Sequence, residues 1–389
     1  MAQVLGAGPT GALVALAMAD AGWAVQVLDP ATHEQLGRRS RAYALTHSSR
    51  LLLERLGLWR ALEPCLCPFD QLHLSDVAAD VGLCFGPEDL PAAVRGEGDQ
   101  PVGWIVRHQG LMALLLARLQ QHARIDARLG ESPATAAPGP WGNPDLVLAA
   151  DGPGSPTRQA LSIGLWQRGY RQSCLTAQVL LRGADGPLDG AAWELLRPEG
   201  PFAVLPLGSG HAQLVWSAPT ARNQRRQELE PTAFLEQLAS VLPAALEVDG
   251  LLDQPRSFPV GVALAHRLSR GRTLLVGESG HRCHPVGGQG LNLCWRDVAV
   301  LHELASRVRA GSISLRSLPG RYERRRWPDL LLTLLATDLL VRLFSNRWPP
   351  LLPLRWLALA LLARYPGLRR LCLAVMSAGP GQTLSISPQ

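Results

Sequence analysis

Short apolar runs that end in a glycine turn or an acidic residue are the main pattern in the first part of the chain. Runs at 4–5, 24–28, 104–106 and 146–150 have the length and composition of buried strands. The segment 12–21, between the first two runs, is rich in small apolar residues and predicts a buried helix. Strands that alternate with helices in this way predict a parallel sheet with helices packed on its faces.

The middle of the chain, from 165 to 255, has a different pattern. Apolar runs there are separated by Gly, Pro and Asp, which predicts strands joined by turns, and a helix is expected at 232–246. We therefore expect an antiparallel sheet inserted between the segments of the parallel one. Its strands are predicted at 72–74, 83–85, 175–181, 202–207 and 213–217.

The last part of the chain begins with an apolar run at 273–276 and continues, from Leu291, with apolar residues at helical spacing. The tail 327–376 is rich in leucine, but prolines and charged residues divide it into segments shorter than a membrane-spanning helix. It predicts amphipathic helices that either pack on the core or lie on a membrane. Together these elements predict an α/β fold: a Rossmann-like domain interleaved with an antiparallel β-sheet domain, plus C-terminal helices.

Composition narrows the classes of function. The chain has 389 residues, 47% of them hydrophobic, and a net charge of +6 in which every basic residue is arginine. This charge reflects either a compositional bias or attraction to an anionic surface, such as membrane headgroups or nucleotide phosphates. No basic run is interleaved with aromatic residues, which argues against nucleic-acid binding.

The cysteines argue against two further kinds of site. There are seven, an odd number, with irregular spacing and no Cys-x-x-Cys pair. This pattern favours neither a disulfide framework nor a bound metal, and it fits a reducing compartment. No signal peptide precedes the first predicted strand, so we expect a cytoplasmic protein.

The first glycine turn, residues 6–11, follows the first predicted strand and contains Gly6, Gly8 and Gly11. In a strand–turn–helix unit the first glycine permits a tight turn, and the second lets the backbone approach a pyrophosphate. The third lets the helix pack on the strand. The next predicted strand ends at Asp29, where a carboxylate suits a ribose hydroxyl. The segment therefore predicts a dinucleotide-binding βαβ unit.

The second glycine turn, residues 277–290, lies far along the chain, between a predicted strand and the helix that begins near Leu291. Gly287, Gly288 and Gly290 fall within four positions, so the backbone must pass close to a flat or anionic group. A strand, a glycine loop and a helix in this order point free backbone N–H groups at a ligand.

Two other features have candidate chemistry. Asp151 and Gly152 follow the predicted strand at 146–150, at the end where α/β sheets bind ligands. His281 and His284 lie in the second glycine turn. Each histidine either assists proton transfer or anchors the turn through hydrogen bonds.

Three motifs together resemble those of the FAD-dependent aromatic hydroxylases, the class A flavoprotein monooxygenases. They are Gly6-x-Gly8-x-x-Gly11 with Asp29, Asp151-Gly152-x-x-Ser155-x-x-Arg158, and Gly277-Glu278 with His284-Pro285-x-x-Gly288-Gln289-Gly290-Leu291-Asn292. The ubiquinone-biosynthesis branch is the most similar, through residues 41–45, 200–207 with Val215-Trp216, and Thr337-Asp338-x-x-x-Arg342.

The resemblance implies a role for each matching residue. It implies that the FAD pyrophosphate is held by Gly6, Gly8 and Gly11 and the adenosine ribose by Asp29, with Arg41 and Gln109 near the pyrophosphate and the ribityl chain. Asp151, with Gly152, matches an acid linked to FAD, and Glu278 is expected to contact the ribityl hydroxyls. The residues expected to line the isoalloxazine ring are Pro285, Gly288, Gln289, Gly290, Leu291 and Asn292. The expected catalytic residues are His281, His284 and Pro285.

The resemblance also implies the domain order. It predicts FAD-binding segments at 1–70, 101–164 and 259–315, substrate-domain segments at 71–100 and 165–258, and a helical leucine-rich region at 316–389.

The activity implied is that of a monooxygenase using FAD, NAD(P)H and O₂ to hydroxylate a prenylated phenol in the biosynthesis of a ubiquinone-like or plastoquinone-like quinone. The expected partners are this phenol, O₂, and either a membrane surface or other quinone-biosynthesis proteins. Two alternatives stay open: a flavin-dependent reductase of an isoprenoid, and a non-catalytic flavin-binding member of a membrane-associated assembly. Glu278 stands where the family has Asp, and Ser279-Gly280 where it usually has two alanines, which keeps the second alternative open.

Overall fold

The computed structural model describes residues 1–95, 100–133, 143–183 and 190–379. Parts of the predicted domain segments, at 96–99, 134–142, 184–189 and 380–389, lie outside the described residues. The strands are β1 Ala2–Leu5, β2 Val25–Asp29, β3 Ala42–Leu45, β4 Leu66–Phe69, β5 Gln71–Asp76, β6 Val81–Phe85, β7 Gly103–Arg107, β8 Ile125–Leu129, β9 Leu146–Ala149, β10 Leu165–Gly183, β11 Ala191–Leu196, β12 Phe202–Gly208, β13 His211–Pro219, β14 Leu246–Leu251, β15 Arg256–Ala265, β16 Ser269–Arg270, β17 Thr273–Leu275 and β18 His281–Arg282.

The α-helices lie between these strands and after the last of them. They are α1 Pro9–Asp20, α2 His33–Gly37, α3 His47–Arg55, α4 Trp59–Leu62, α5 Ala92–Arg95, α6 His108–Gln121, α7 Pro156–Ala160, α8 Thr220–Gln227, α9 Pro231–Ala239, α10 Gln289–Arg309, α11 Leu318–Phe344, α12 Leu352–Arg364 and α13 Pro366–Ala378.

A six-stranded sheet in the order β16-β17-β9-β1-β2-β8 forms the Rossmann-like part of the fold. Its pairs are parallel except for β16 with β17. Helix α1 is buried along most of its length because its side chains are small or apolar, so it packs between the sheet and other helices. In this order β1, β9 and β17 are neighbours, and their carboxyl ends lie at one edge of the sheet.

A nine-stranded, mainly antiparallel sheet forms the second layer, in the order β18-β15-β10-β13-β12-β11-β5-β6, with β14 also paired to β10. Strands β5 and β6 join through a parallel pairing of β11 with β5. A smaller sheet, β3-β7-β4, is antiparallel. The predicted α/β class, with an interleaved antiparallel sheet and C-terminal helices, is confirmed. The exact domain bounds remain a prediction.

One predicted element is wrong in its second half. The helix expected at 232–246 is α9, which ends at Ala239, and Leu246 begins strand β14. Pro243 lacks the N–H that a continuing helix needs. The residues after it pair with the end of β10, where Leu246 lies opposite Gly183. Tertiary pairing therefore overrides the helical spacing of the apolar residues.

Helices α12 and α13 are held against the antiparallel layer by buried or half-buried ion pairs. Arg355 Nε donates to Asp76 Oδ2 at 2.7 Å, and both side chains are buried. Arg369 Nε donates to Asp89 Oδ1 at 2.8 Å. Within the described ranges, no helix combines the length and the apolar character needed to cross a membrane.

Candidate functional site

The first glycine turn is shaped by close contacts between backbone groups. A Cβ on Gly6, which has a φ of 100°, would lie 2.4 Å from the carbonyl oxygen of Ala150. A Cβ on Gly11 would lie 1.9 Å from the carbonyl oxygen of Gly6. By contrast, a Cβ on Gly8 would meet no atom within 4 Å. Two glycines therefore permit close packing, and the third leaves open space beside the start of α1, where N–H groups favour anions.

Asp29 lies at the end of β2 and is buried beside the first glycine turn. Its carboxylate accepts the N–H of Ala7 at 2.6 Å and the N–H of Ala31 at 2.7 Å. These bonds fix the turn relative to β2. The ribose contact predicted for Asp29 remains a prediction.

The Asp151-Gly152 pair continues from β9, next to the first glycine turn. Asp151 Oδ2 accepts the N–H of Thr157 at 3.0 Å, whereas Oδ1 is buried without a hydrogen-bond partner among the described residues. Gly152 has a φ of 82°, and a Cβ there would meet nothing within 4 Å. An unpaired buried acceptor beside open space is a site for a donor from a ligand.

Arg158 joins this motif to the second glycine turn. Its Nη1 donates to the carbonyl of Ser279 at 2.9 Å and to that of Pro153 at 3.2 Å. A Cβ on Gly277 would in turn lie 3.0 Å from Thr10 Cγ2, in the first turn of α1. The three motifs predicted from the sequence are therefore adjacent at the carboxyl edge of the parallel sheet.

Glu278 and Ser279 differ from the usual family residues and have contrasting positions. Glu278 is exposed at the tip of a single helical turn, Gly277–Ser279. Ser279 is fully buried, and its hydroxyl donates to the carbonyl of Ala149 at 2.6 Å and accepts the N–H of Val276 at 3.0 Å. The serine therefore ties the second glycine turn to β9.

His281 belongs to a buried charge network. Its Nε2 lies 2.8 Å from Asp297 Oδ2, and Arg326 Nε donates to Asp297 Oδ1 at 2.5 Å. The N–H of Gly277 also donates to Asp297, at 2.7 Å. Burial alone would raise the pKa of Asp297, but His281 and Arg326 hold it well below its usual range. This geometry supports the anchoring alternative for His281, and its catalytic role remains a prediction.

His284 is buried in a different setting. Its Nδ1 accepts the N–H of Val286 at 3.2 Å, and its Nε2 has no hydrogen-bond partner among the described residues. Its ring meets Tyr170 edge-on, with 5.3 Å between centroids. The Tyr170 hydroxyl donates to Asp338 at 2.7 Å. Burial lowers the pKa of His284 to about 4, so the ring is neutral at pH 7, with Nε2 as its free donor.

The glycines after Pro285 open the N-terminus of α10. Gly287 and Gly288 have φ values of 67° and 63°, in the left-handed region that favours glycine. Asn292 accepts the N–H of Thr46 at 3.0 Å and donates to the carbonyl of Ala44 at 2.8 Å, which joins α10 to β3.

Other predicted ring contacts lie at the same helix start. Gln289 donates to the carbonyl of Met376 on α13 at 3.2 Å, so the C-terminal helix covers this part of the turn. A Cβ on Gly290 would meet no atom within 4 Å, and Leu291 is half-buried. The start of α10 is thus held by side chains, while backbone beside Gly290 stays open.

Arg41 and Gln109 lie away from these turns in sequence, close together at one end of the small sheet, where the N–H of His108 donates to the carbonyl of Arg41 at 2.8 Å. The Arg41 guanidinium stacks over Phe258, 4.9 Å from the ring centroid. Gln109 is exposed in the first turn of α6 and lines a cavity of about 650 Å³ together with Arg107. Sequence reasoning missed Arg107, whose Nε is buried without a partner among the described residues. Its position at the end of β7 was the available signal.

These features meet the requirements of FAD. The first glycine turn and the start of α1 suit a pyrophosphate. Asp151 offers an unpaired acceptor, and open backbone at Gly152 and Gly290 leaves room for a ligand. The start of α10 has no side-chain cap, and N–H groups at such a helix start suit the electron-rich edge of a flat ring. Among the described residues, no cluster of His, Cys, Asp or Glu is arranged to hold a metal ion.

Comparison with known proteins identifies the same cofactor class. Residues 143–328 match the model of an FAD binding domain family. The fold is similar to p-nitrophenol 4-monooxygenase PnpA from Pseudomonas putida, with a TM-score of 0.78 at 19% identity, covering 97% of this chain and 98% of that one.

Two sequence relatives span nearly the whole chain. The 3-demethoxyubiquinol 3-hydroxylase of Escherichia coli is 29% identical, over 94% of this chain and 95% of its own length. The ubiquinone hydroxylase UbiL of Rhodospirillum rubrum is 32% identical, over 95% of this chain and 87% of its own. The chain therefore belongs to the family of FAD-dependent ubiquinone-biosynthesis hydroxylases.

Proposed function

We propose that this chain hydroxylates the aromatic ring of a polyprenylated phenol in the biosynthesis of a ubiquinone-like quinone, as an FAD-dependent monooxygenase that uses NAD(P)H and O₂. The observation that carries the proposal is the meeting of three FAD-type motifs at one sheet edge, in a chain that aligns over 95% of its length with a ubiquinone hydroxylase.

The residues proposed to hold FAD are those that match the motifs of the family. Gly6, Gly8 and Gly11 place the pyrophosphate at the start of α1, and Asp29 accepts from the adenosine ribose. The parts of the cofactor between these groups and its ring are held by Arg41, Gln109, Asp151, Gly152 and Glu278. The isoalloxazine ring is lined by Pro285, Gly288, Gln289, Gly290, Leu291 and Asn292. When bound, FAD supplies the redox chemistry that activates O₂ with electrons from NAD(P)H.

The protein's own contribution is to orient the phenol and exclude water. Leu205 and Leu207 on β12, with Leu74 on β5, lie in one apolar cluster with Leu373 of α13. We propose that this cluster forms the wall against which the prenylated ring packs. Because Gln289 bonds to Met376, the same helix also covers part of the second glycine turn.

A direct test is incubation of the purified holoenzyme with a short-chain prenylated phenol, NAD(P)H and ¹⁸O₂. We expect one labelled oxygen atom in the product for each NAD(P)H consumed, detected by mass spectrometry. Oxidation of NAD(P)H with reduction of the prenyl chain and no label would favour the reductase alternative instead. A failure of every prenylated phenol to stimulate NAD(P)H oxidation would favour the non-catalytic alternative.

We further propose that the C-terminal helices contact a membrane surface, from which the prenyl tail reaches the site. Large apolar side chains are exposed along all three helices, and patches of this kind on a folded protein commonly have a binding role. Arginines beside them favour anionic headgroups. The exposed apolar residues of this C-terminal face are Leu331, Leu332, Leu335, Leu339, Leu340, Trp348, Leu354, Trp356, Leu357, Leu361, Tyr365, Leu368 and Leu371.

A further inference from the structure

Strand β11 carries a carboxyl group on the face of the antiparallel sheet that is turned toward the second glycine turn. Side chains alternate along a strand. Trp193 packs with the outer apolar cluster, whereas Ala192 and Leu196 belong to clusters on the inner face. Glu194, between them, therefore points inward. Its Oε2 accepts the N–H of Gly287 at 3.4 Å, a long hydrogen bond.

The surroundings of Glu194 are mostly apolar, and the residue itself is half-buried. In the sheet register it lies opposite Leu74 on β5 and Ala203 on β12. Val286 of the glycine turn belongs to the same apolar cluster as Leu196, which is two residues after Glu194 and on the same face of β11. A carboxyl group with one weak donor in such a place costs stability, which makes it a candidate functional group.

The pKa of Glu194 lies closer to neutral pH than the pKa values of its titratable neighbours. Burial raises its pKa to about 7, although the N–H of Gly287 lowers it. Burial raises the pKa of the Cys174 thiol to about 12 and lowers that of His284 to about 4. It also raises the pKa of Tyr170 and of Cys372. The charged groups on the surrounding elements are Arg41, the Asp76–Arg355 pair and the Asp338–Arg342 pair.

We propose that Glu194 is the general base that accepts the proton of the substrate's phenol hydroxyl. This inference rests on the proposed function. The phenol O–H bond breaks, an O–H bond to a Glu194 carboxylate oxygen forms, and the electron pair stays on the phenolate oxygen. The ring carbons ortho and para to that oxygen gain electron density, which favours their attack by an electrophilic oxygen atom. No oxidant or reductant takes part in this proton transfer.

The chemistry of the two groups fits this role. A phenol has a pKa of about 10, so it is almost entirely protonated at pH 7. A base that is half-ionised near the working pH is well matched to proton transfer. The position beside Gly287 places the carboxylate next to the turn proposed to line the cofactor ring, where the phenol must lie to react.

The test is the Glu194→Gln holoenzyme, because glutamine keeps an acceptor for Gly287 but cannot take a proton. We expect hydroxylation of a prenylated phenol to fall by about 10²-fold or more. In the wild type, kcat should rise between pH 6 and pH 8 as Glu194 ionises, and in the variant this rise should disappear. A ring-fluorinated phenol, which is more acidic, should restore part of the variant's rate. Glu236→Gln, an exposed change on α9, is the control and should behave as the wild type. A Glu194→Gln rate within about threefold of wild type, with the same pH profile, would overturn the proposal.

A second measurement does not depend on turnover. A raised carboxyl pKa means that wild-type stability falls as pH rises from the unfolded value of about 4 through about 7. Glu194→Gln should therefore unfold at a higher temperature than wild type at pH 8, with a smaller gain at pH 5.5. An equal effect at both pH values would show that Glu194 does not titrate as argued. If wild type makes no hydroxylated product, the proposed function fails while this comparison still reports on Glu194.

Discussion

The two glycine turns have similar compositions but are held in different ways. The first is held by backbone packing, because Gly6 and Gly11 touch carbonyl groups too closely for any side chain, with Asp29 as its buried carboxylate anchor. The second is held by side chains, including Asp297 and Asn292 of α10, the helix that follows it. A glycine pattern thus indicates where a backbone approaches a ligand, but not what keeps it there.

The network behind the second turn is balanced in charge. Asp297 and Asp329 face Arg296 and Arg326, and all four side chains are buried. Buried ions are costly to desolvate, so each needs its partners in place. The second glycine turn therefore depends on α10 and α11 being packed together.

The largest effect should come from breaking this network with Asp297→Asn. Arg326 then loses a charged partner inside the protein, and we expect the free energy of unfolding to fall by about 3–5 kcal/mol. Urea denaturation at pH 7 measures the loss. The matched control is Asp20→Asn. The Asp20 carboxylate is partially exposed and pairs with His302, which lies on α10 as Asp297 does. Its loss should change the free energy of unfolding by about 1 kcal/mol or less.

The pH dependence of this effect has a defined sign. The pKa of Asp297 is lowered on folding, so its contribution to stability is present above the unfolded value of about 4 and is lost as the pH falls below it. The gap between wild type and Asp297→Asn should therefore narrow below about pH 4. A gap that stays constant from pH 7 to pH 3 would contradict the assignment of the carboxylate to the network.

A smaller effect is expected from methyl groups in the first glycine turn. Gly11→Ala places a Cβ 1.9 Å from the carbonyl oxygen of Gly6, so we expect a loss of about 1–3 kcal/mol in unfolding free energy. Gly8→Ala meets no protein atom and should cost less than about 1 kcal/mol. It should instead weaken FAD binding, measured by fluorescence titration. Equal effects of the two changes on stability would contradict the distinct roles of these glycines.

The difference between the turns also explains what the sequence could predict. The first glycine turn follows a local rule, so its strand, helix and terminal acid were predicted close to their observed positions. Asp297 was visible as part of the stretch after the second turn, but Arg326 lies 29 residues further on, and no spacing links the two. Glu194 was also missed, because its role depends on which sheet face meets the turn.

Ser279→Ala tests a departure from the usual family residues. The hydroxyl joins the second glycine turn to β9 through Ala149, and its removal leaves that contact without a donor. We expect a loss of about 1 kcal/mol in unfolding free energy and a small decrease in FAD affinity. Ser240→Ala, on the exposed end of α9, is the control. If Ser279→Ala is as stable as wild type, the hydroxyl of Ser279 does not stabilise the second glycine turn, and the alanine usual in the family would serve equally well there.

The smallest effect on stability is expected on the C-terminal face, where Leu335 and Leu339 are 63% and 56% exposed and lie one turn apart on α11. Changing both to Gln should alter the unfolding free energy by about 0.5 kcal/mol or less, because neither is part of the core. Binding to vesicles that contain anionic lipid should nevertheless weaken clearly in a flotation assay, since apolar area at the interface is lost without a change in charge.

Leu51→Gln is the matched control, because Leu51 is 57% exposed on α3, outside the C-terminal helices. If the double variant and the control bind vesicles equally, the C-terminal face is not a membrane contact. If only the double variant loses binding while turnover of a short-chain phenol is unchanged, the C-terminal face serves delivery of the prenyl tail and takes no part in the chemistry. That result would separate the proposed membrane contact from the site it covers.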